Sequence, residues 1–342
     1  MKGSTATDSR SRRRRRAVII LAVLLVLGAA ASVAIGSLST SLTEVFAALR
    51  RSDAARVDVV SVVWDQRIPR TIVAAVVGAC LGVAGALIQG HTRNPLADPG
   101  ILGVSSAAAL AVVLATFLFR VSSPSAYIVA GIIGAGLGLV LVLFVARLAG
   151  GAGTHLSLVL SGAALTAFFG TVTTTVVLID KASLEQLRLW SVGSVAGRDL
   201  SLVWWMLPLA AGAIAIAVSL ASQLNALTMG EDTARGLGIN VGRQRTIGLI
   251  LVTVLAGSAT AVAGPIGFVG LMVPHLIRAL SGADYRWIIP LSALAGSVLL
   301  IIADVIGRVL LRPAELQVGI VMALVGAPIF IYFVRRGKVV QL

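Results

Sequence analysis

The sequence contains few charged and aromatic residues and almost no cysteine. Of its 342 residues, 12% are charged and 5% are aromatic, whereas 58% are hydrophobic. This balance excludes an ordinary soluble domain, in which about 25% of residues are charged. The single cysteine, Cys80, excludes an intrachain disulfide bond. Because the sequence also lacks a phosphate loop ending in Lys-Ser/Thr, a carboxylate pair and a metal-spaced histidine cluster, we expect no catalytic centre, cofactor or metal.

Long apolar runs dominate what remains. A helix needs roughly 20 apolar residues to cross a bilayer. Ten candidate spans lie at 17–37, 70–90, 101–119, 125–147, 156–179, 203–223, 245–264, 265–280, 287–310 and 318–334. The sequence therefore predicts an all-α polytopic membrane protein with about ten transmembrane helices in a single domain, residues 17–342. A count of eight or nine spans stays open if one weak segment is re-entrant.

Much of the net charge of +14 lies in a basic N-terminal tail, residues 1–16. Its arginines directly precede the first apolar run, which is typical of a cytoplasmic topology anchor and argues against a nucleic-acid-binding surface. A cleaved signal peptide is the alternative for residues 1–40, but the apolar stretch Ala17–Gly36 is longer than a usual signal core. The last span is also followed by basic residues, so we predict a multi-pass protein of the cell (inner or plasma) membrane with both termini in the cytoplasm.

An internal repeat is visible when the chain is shifted by 179 residues. The shift places Gly78 on Gly257 and Pro95 on Pro274, and it carries the second span onto the seventh. Since the shift covers five spans, an odd number, the second copy would be inverted in the membrane. Inverted repeats with interrupted helices are typical of transporters.

A polar, proline-punctuated turn separates the second and third spans. Irregular backbone at membrane depth is tolerated only where protein or a water-filled path surrounds it. We therefore predict that this turn, residues 89–100, forms part of a gate on a translocation path.

The fifth span is unusually rich in hydroxyl side chains, including Ser161, Thr166, Thr171 and Thr174. Hydroxyls within a helix can simply bond to their own backbone. The alternative is that this helix faces a polar path, and both interpretations stay open at this point.

Residues 224–245 form the main internal loop in this layout. Thr228 and Glu231 have the spacing of a capping box at the start of a short helix, which Gly236 or Gly238 can end. Short helices on such a loop are typical of an element that docks on a partner, although a solvated connector is the alternative.

Charged residues also lie at the ends of predicted spans. Arg67 and Arg70 bracket a proline before the second span, and Asp304 and Arg308 are four residues apart near the end of the ninth. The spacing of four places Asp304 and Arg308 on one helix face. A local ion pair and a functional contact are both open, and we expect Arg308 to reach the external interface by snorkelling.

Several motifs together carry a resemblance to a known family. They are Arg67-Ile68-Pro69-Arg70, Asn94-Pro95-Leu96-Ala97-Asp98-Pro99-Gly100, Leu224 to Gly238, Gly264 to His275, Pro313 to Gly319, and Gly326-Ala327-Pro328. The chain resembles the FecCD-type permeases, which import iron-siderophores, haem and cobalamin with ATP-binding cassette (ABC) ATPases. The resemblance covers nearly the whole chain after about residue 60. Gln317 departs from the proline that the family usually has, and the arginine-rich N-terminus is longer than the family needs.

The resemblance implies an assembly of several subunits. It implies a homodimer, or a heterodimer with a close paralogue, together with two cytoplasmic ABC ATPase subunits and an external substrate-binding protein. ATP hydrolysis then belongs to the ATPase subunit, and this chain is not itself an enzyme. Membrane lipid is the remaining partner, and no nucleic acid is expected.

The resemblance also implies roles for particular residues. The gate and path would be formed by Asn94, Pro95, Leu96, Ser161, Thr166, Thr171 and Thr174. ATPase coupling would involve Gly230, Glu231, Arg235, Gly236 and Gly238. Docking of the binding protein would involve Arg67, Arg70 and Arg308.

We therefore predict the permease subunit of an ABC importer for a metal chelate, with a ferric siderophore preferred. Haem or cobalamin is the alternative substrate within the family. From another class, an ion-gradient-driven secondary transporter is the rival. It would need a coupling carboxylate near the membrane midplane, whereas Asp180 and Asp304 lie near span ends.

Overall fold

The computed structural model of the protein describes residues 4–38, 40–52, 56–121, 123–148, 155–198 and 200–335. Within these residues the regular structure is helical and contains no β-strand. The helices in chain order are α1 (Ser4–Ala34), α2 (Leu42–Leu49), α3 (Val57–Ser61), α4 (Ile68–Thr92), α5 (Val104–Phe119), α6 (Pro124–Leu148), α7 (His155–Ile179), α8 (Lys181–Ser191), α9 (Leu200–Ser219), α10 (Ala221–Thr228), α11 (Glu231–Gly236), α12 (Val241–Ala263), α13 (Val269–Ser281), α14 (Tyr285–Leu310) and α15 (Val318–Arg335). The predicted all-α fold class is confirmed.

Six segments are long and apolar enough to cross a membrane, namely α1, α6, α7, α12, α14 and the continuous segment Val57–Thr92. That continuous segment joins α3 to α4 through a π-helical turn, Val62–Arg67. Helices α9 and α10 together pass the same test but are bent by 54°. Three further apolar helices, α5, α13 and α15, are shorter. These elements coincide with the ten predicted spans, while the number of complete crossings stays a prediction because the short helices fall below the length of a bilayer crossing.

Helix α4 lies at the centre of the bundle and packs against α1, α9, α12, α13 and α14. Its closest neighbour is α14, because glycines remove the side chains that would keep the two backbones apart. A Cβ atom on Gly78 would overlap the carbonyl oxygen of Gly296, and one on Gly82 would overlap that of Ser292. Close approach through small residues is a main source of helix association in membranes. Gly78 and Gly82 therefore serve close packing of α4 against α14.

The bundle has two ends that differ in their charges. We call the end that carries Arg12–Arg16 and α11 the basic end, and the end that carries Arg70 and Glu315 the opposite end. At the basic end α4 stops at Arg93, which adopts the left-handed conformation with φ 47°. A turn and a short 3₁₀ helix, Pro99–Leu102, then lead into α5. From Ser4 onward the basic tail is helical and continues into the first apolar run as one helix, α1.

Interruptions also occur between α12 and α13, at residues 264–268. Under the shift of 179 residues, the break after α4 falls inside α13 and not on this interruption. The two helices that the shift superposes, α4 and α12, are nevertheless the most deeply packed, with 78% of each apolar window buried. The inverted orientation of the second copy stays a prediction.

Candidate translocation and coupling sites

The turn after α4, which we call the gate turn, comprises residues 93–98. Asn94 organises it, because its Oδ1 accepts a hydrogen bond from the Leu96 backbone N–H at 2.9 Å and its carbonyl oxygen accepts one from Ala97 at 3.1 Å. Pro95 is half-buried between them. The side chain of Leu96 projects from the tip of the turn and is 41% exposed. A rigid polar turn therefore presents one apolar side chain at the basic end.

The predicted coupling segment lies beside this turn. Gly230 precedes α11 with φ 125°, and Gly238 follows it with φ 77°. Both values lie in the region that L side chains rarely adopt, so glycine is needed at each end of this short helix. Helix α11 ends at Gly236, in agreement with the predicted end.

The predicted capping box at Thr228 is wrong. Helix α10 extends through Thr228, and its hydroxyl donates backwards to the Asn225 carbonyl oxygen at 2.7 Å. The residue at the N-cap of α11 is Gly230, which offers no side chain to the helix. Glu231 therefore takes no part in a capping box with Thr228, and its carboxylate pairs with arginines instead.

Glu231 connects three arginines from three different elements. Its Oε1 lies 2.7 Å from Arg245 Nη2 and 3.9 Å from Arg93 Nη2, and its Oε2 lies 3.0 Å from Arg235 Nη2. Arg93 belongs to the gate turn, Arg235 to α11 and Arg245 to the first turns of α12. One carboxylate therefore joins the predicted gate to the predicted coupling segment.

Sequence reasoning singled out Glu231 and Arg235 but missed Arg93 and Arg245. Arg245 did carry a usable signal, because it lies within the first turns of an apolar helix. A charge at such a depth needs a partner, and this one is buried against Glu231. Arg93 carried no comparable signal, since its pairing depends on where the distant loop returns.

The hydroxyl residues of α7 divide into two pairs. Thr171 and Thr174 are exposed, and their hydroxyls donate to the carbonyl oxygens of Ala167 and Gly170 at 2.9 Å each. Ser161 is buried. Thr166 packs against the αL residue that precedes α5, since a Cβ on Gly103 would lie 3.3 Å from its Oγ1. The structure therefore brings Thr166 to the end of the gate-turn connection, while Thr171 and Thr174 point away from the chain.

The exposed side of α7 differs from that of its neighbour α6. Helix α7 is only 22% buried in its apolar window. The middle of its exposed side carries the small residues Ala163, Ala164, Ala167, Gly170, Thr171 and Thr174, together with Phe168, while Leu160, Leu178 and Ile179 are exposed nearer its ends. On α6 the exposed side is large and aliphatic or aromatic, with Ile133, Leu137, Val140, Leu141 and Phe144. The α6 surface suits lipid tails, whereas small residues suit close approach of another protein helix.

At the opposite end, Arg67 holds the end of α1. Its Nη1 donates to the carbonyl oxygens of Val33 and Ala34 at 3.0 Å each, and its Nη2 donates to that of Leu38 at 3.1 Å. The last carbonyls of a helix have no partner within the helix. Arg67 is buried because it supplies these partners.

Arg70 and Arg308 share one buried carboxylate. Asp304 lies 2.7 Å from Arg70 Nη2 and 2.9 Å from Arg308 Nη2, and Arg70 also pairs with Glu315 at 2.6 Å. Asp304 and Arg308 are each 1% exposed. Of the two interpretations left open for Asp304 and Arg308, the structure contains the local ion pair. The expected snorkelling of Arg308 is wrong, because its guanidinium turns inward to the Ser32 carbonyl oxygen at 2.8 Å.

A cleft gives this end access to the surface. It has a volume of about 680 Å³, and its lining includes Trp64, Asp65, Arg70, Arg198 and Glu315. Arg70 is thus the one of the three predicted docking arginines that lines this cleft. Whether these arginines dock a partner stays a prediction.

Apolar helices of membrane length, irregular backbone at one end and buried ion pairs at the other define a multi-pass membrane transport protein. More specifically, the chain belongs to the FecCD transport family, whose family model matches residues 23–336. The resemblance inferred from the motifs is confirmed.

Individual relatives agree with this family. The ferric enterobactin transport system permease protein FepD of Escherichia coli (strain K12) is 46% identical over 278 residues, which are 81% of this chain and 82% of that protein. The hemin transport system permease protein HmuU of Yersinia pestis is 39% identical over 280 residues, 81% of this chain and 84% of that protein. Among solved structures, a metal-chelate type ABC transporter in an inward-facing conformation covers 94% of this chain and 99% of that chain, with a TM-score of 0.82 and 29% identity.

Proposed function

We propose that the chain is the membrane permease subunit of an ABC importer that moves a metal chelate, a ferric siderophore, into the cytoplasm. The observation that carries this proposal is the likeness to a metal-chelate type ABC transporter over nearly the whole chain. ATP is hydrolysed by two ABC ATPase subunits, and an external substrate-binding protein delivers the chelate. The preference for a siderophore rests on the relative that transports ferric enterobactin. Haem is the second candidate, because a hemin permease matches over a similar share of the chain.

The translocation path lies between two copies of the chain, or between this chain and a close paralogue. The small exposed side of α7 supports this arrangement, because it allows a second helix to approach and leaves hydroxyl oxygens of Thr171 and Thr174 free to accept hydrogen bonds. Leu96 then meets its counterpart and closes the path at the basic end by apolar contact. Ser161 and Thr166 act from behind this surface by positioning α7 against the gate-turn connection.

The coupling step runs through Glu231. The segment Gly230–Gly238 docks on the ATPase and carries Glu231, whose ion pairs reach Arg93 beside the gate turn. A displacement of α11 by the ATPase would therefore pull on the turn that holds Asn94, Pro95 and Leu96. In this arrangement Arg235 has two roles, because it pairs with Glu231 and is also exposed for contact with the ATPase.

The basic end faces the cytoplasm of a cell (inner or plasma) membrane, with both termini on that side. The block Arg12–Arg16 supports this orientation, since cytoplasmic flanks of membrane spans are rich in arginine and lysine. The opposite end then faces outward, where Arg67, Arg70 and Arg308 form the docking region for the binding protein. Arg70 makes the direct contact through the cleft beside Glu315, while Arg67 and Arg308 hold α1 in place beneath it.

Transport by reconstituted complexes tests the proposal. The chain is placed in proteoliposomes with its ATPase and binding protein, and ATP-dependent uptake of ⁵⁵Fe-loaded siderophore is compared with uptake of haem. We expect siderophore uptake that needs ATP and the binding protein. Uptake driven by an ion gradient without ATP would instead support the secondary transporter. The pairing of Asp304 with two arginines argues against that rival, because an ion-coupling carboxylate must be available to its ion.

A further inference from the structure

A charged cavity lies at the basic end, and Glu231 is not among the residues that line it. Its volume is about 750 Å³, and it is enclosed by the start of α1, the end of α10 and the turn between α13 and α14. The charged residues in its wall are Arg13, Arg14, Arg278 and Asp284. Three guanidinium groups therefore face one carboxylate, and the cavity carries excess positive charge.

Arg278 is the least satisfied of these side chains. It is 2% exposed, and its Nη2 donates to Gln89 Oε1 at 2.8 Å. Its Nε and Nη1 are buried and have no hydrogen-bond partner of good geometry among the described residues, although the Tyr285 hydroxyl interacts with the guanidinium. Buried polar groups are almost always paired, so two unmet donors on a cavity wall indicate a missing acceptor. A guanidinium fork prefers an oxyanion, and phosphate matches it with two parallel hydrogen bonds.

Arg13 and Arg14 are held in place by hydrogen bonds to the protein that do not use all of their N–H donors. Arg13 Nη2 donates to the Ala279 carbonyl oxygen at 2.8 Å, and Arg14 Nε donates to that of Ser281 at 3.2 Å. Arg14 Nη2 also lies 3.3 Å from Asp284. Each guanidinium has five N–H donors, so both retain donors for a ligand. The C-terminal carbonyls of α13 fix their position in the cavity wall.

The surroundings favour a lipid as the source of the phosphate. Leu280 lines the cavity and lies four residues from Leu276 on the same exposed side of α13. This apolar strip leads from the cavity along the helix, as an acyl chain would. Basic pockets between transmembrane helices on the cytoplasmic side are known binding sites for anionic lipid headgroups.

We propose that this cavity binds the phosphate group of an anionic phospholipid from the leaflet at the basic end, through Arg13, Arg14 and Arg278. The site does not depend on the proposed transport function. It does touch α10, because Asn225 donates to Asp284 Oδ1 at 2.9 Å and accepts from the Tyr285 N–H at 2.8 Å. A bound lipid would therefore brace the segment that precedes α11.

Native mass spectrometry of the full-length protein tests the site. The delipidated protein is titrated with phosphatidylglycerol or phosphatidylcholine, and retained lipid is counted per chain. We expect one tightly held phosphatidylglycerol and no comparable phosphatidylcholine. The double variant Arg13→Gln/Arg14→Gln should lower the phosphatidylglycerol affinity roughly 30-fold, a factor of about five for each arginine.

Arg15→Gln/Arg16→Gln is the matched control, because it removes the same charge from exposed residues of the same helix that do not line the cavity. We expect it to retain the lipid nearly as well as the parent. Equal weakening by both double variants would overturn the proposal, because diffuse surface charge would then explain the binding.

Two further measurements identify the site and the source. Arg278→Lys keeps the buried charge but loses the fork, so it should weaken lipid retention while the thermal melting of the protein shows that it still folds. Parent-like retention by that folded variant would exclude the cavity. Inorganic phosphate in millimolar excess should leave phosphatidylglycerol bound, because it lacks the acyl contacts. Complete displacement would assign the cavity to free phosphate and overturn the lipid proposal.

Discussion

The two ends of the bundle hold their charges in opposite ways. At the opposite end, Arg70, Asp304 and Arg308 lie in a buried network with short distances on every side. At the basic end, Glu231 is partly exposed, and its three arginines stand at distances from 2.7 to 3.9 Å. Breaking a buried pair leaves an uncompensated charge and is costly, whereas a partly exposed pair can exchange partners with water. The network at the opposite end therefore holds α4 and α14 firmly together, whereas the ion pairs at the basic end can rearrange within a transport cycle.

Removal of the Asp304 carboxylate at the opposite end should have the largest effect on stability. Asp304→Asn leaves Arg308 buried without its paired carboxylate and leaves Arg70 with Glu315 alone, and we expect the free energy of unfolding to fall by about 3–5 kcal/mol. Unfolding in mixed detergent micelles measures this change. Glu185→Gln is the control, since its pair with Arg188 is highly exposed and should contribute less than about 1 kcal/mol. Similar losses for both variants would contradict the contrast between buried and exposed pairs.

Glu231→Gln should separate folding from coupling at the basic end. Because the neutral side chain no longer holds Arg93, Arg235 and Arg245 together, substrate-dependent ATP hydrolysis in the complex should fall at least about fivefold. The melting temperature should change little. Asp232→Asn provides the control, because among the described residues Asp232 forms an ion pair with Arg235 alone, and it is almost fully exposed. A coupled, parent-like Glu231→Gln complex would show that the ion pairs are not part of the coupling route.

Leu96→Ala probes the gate turn itself. Loss of the apolar contact that we propose across the dimer should weaken closure roughly tenfold, in line with the value of a buried leucine side chain. Leakage of a small solute from proteoliposomes in the absence of ATP reports on closure. Leu137→Ala, which removes the same groups from the exposed side of α6, should remain tight. A tight Leu96→Ala variant would reduce the turn to a connector.

Substitution of Glu315, at the surface of the opposite end, should have the smallest effect on stability. Burial, the largest single influence, would raise the pKa of its carboxyl group, but the hydrogen bonds from Arg70 and Ser37 and the charges of Arg70 and Arg308 together outweigh burial, so the pKa lies below its ordinary value. A lowered pKa in the folded state means that the pair stabilises at neutral pH and loses this contribution as the pH falls below about 4.3. Glu315→Gln should therefore cost about 1 kcal/mol or less at neutral pH. The difference from the parent should vanish in acid, and a persistent difference would assign the effect to shape.

Much of the fold could be predicted from hydrophobic runs and glycine spacing. Run length sets the helices, and Gly78 and Gly82 indicate a close neighbour without identifying it as α14. The two positive-φ positions that end α11 also follow from glycine at Gly230 and Gly238. These features are local, so the sequence around them is sufficient to predict them.

The partners of charged residues could not be predicted in the same way. Arg70 pairs with Asp304 and Glu315 across more than 200 positions, and nothing near Arg70 indicates which carboxylates approach it. The snorkelling assigned to Arg308 failed for the same reason, because the end of α1 offers it carbonyl acceptors. Long-range topology decides whether an arginine at a helix end faces water or another helix.

The glycine contacts between α4 and α14 also have a mechanical consequence. Because the two backbones touch directly, one helix cannot rotate against the other without first separating from it. We therefore expect the two helices to move as one rigid unit. The 25 residues of α4 give it a length of about 37 Å. At the opposite end the Arg70–Asp304 pair joins the two helices, and at the basic end α4 stops at Arg93. We therefore expect a displacement at one end of the bundle to tilt α4 and α14 together and so to reach the other end. Bending is expected at the interrupted segment between α12 and α13.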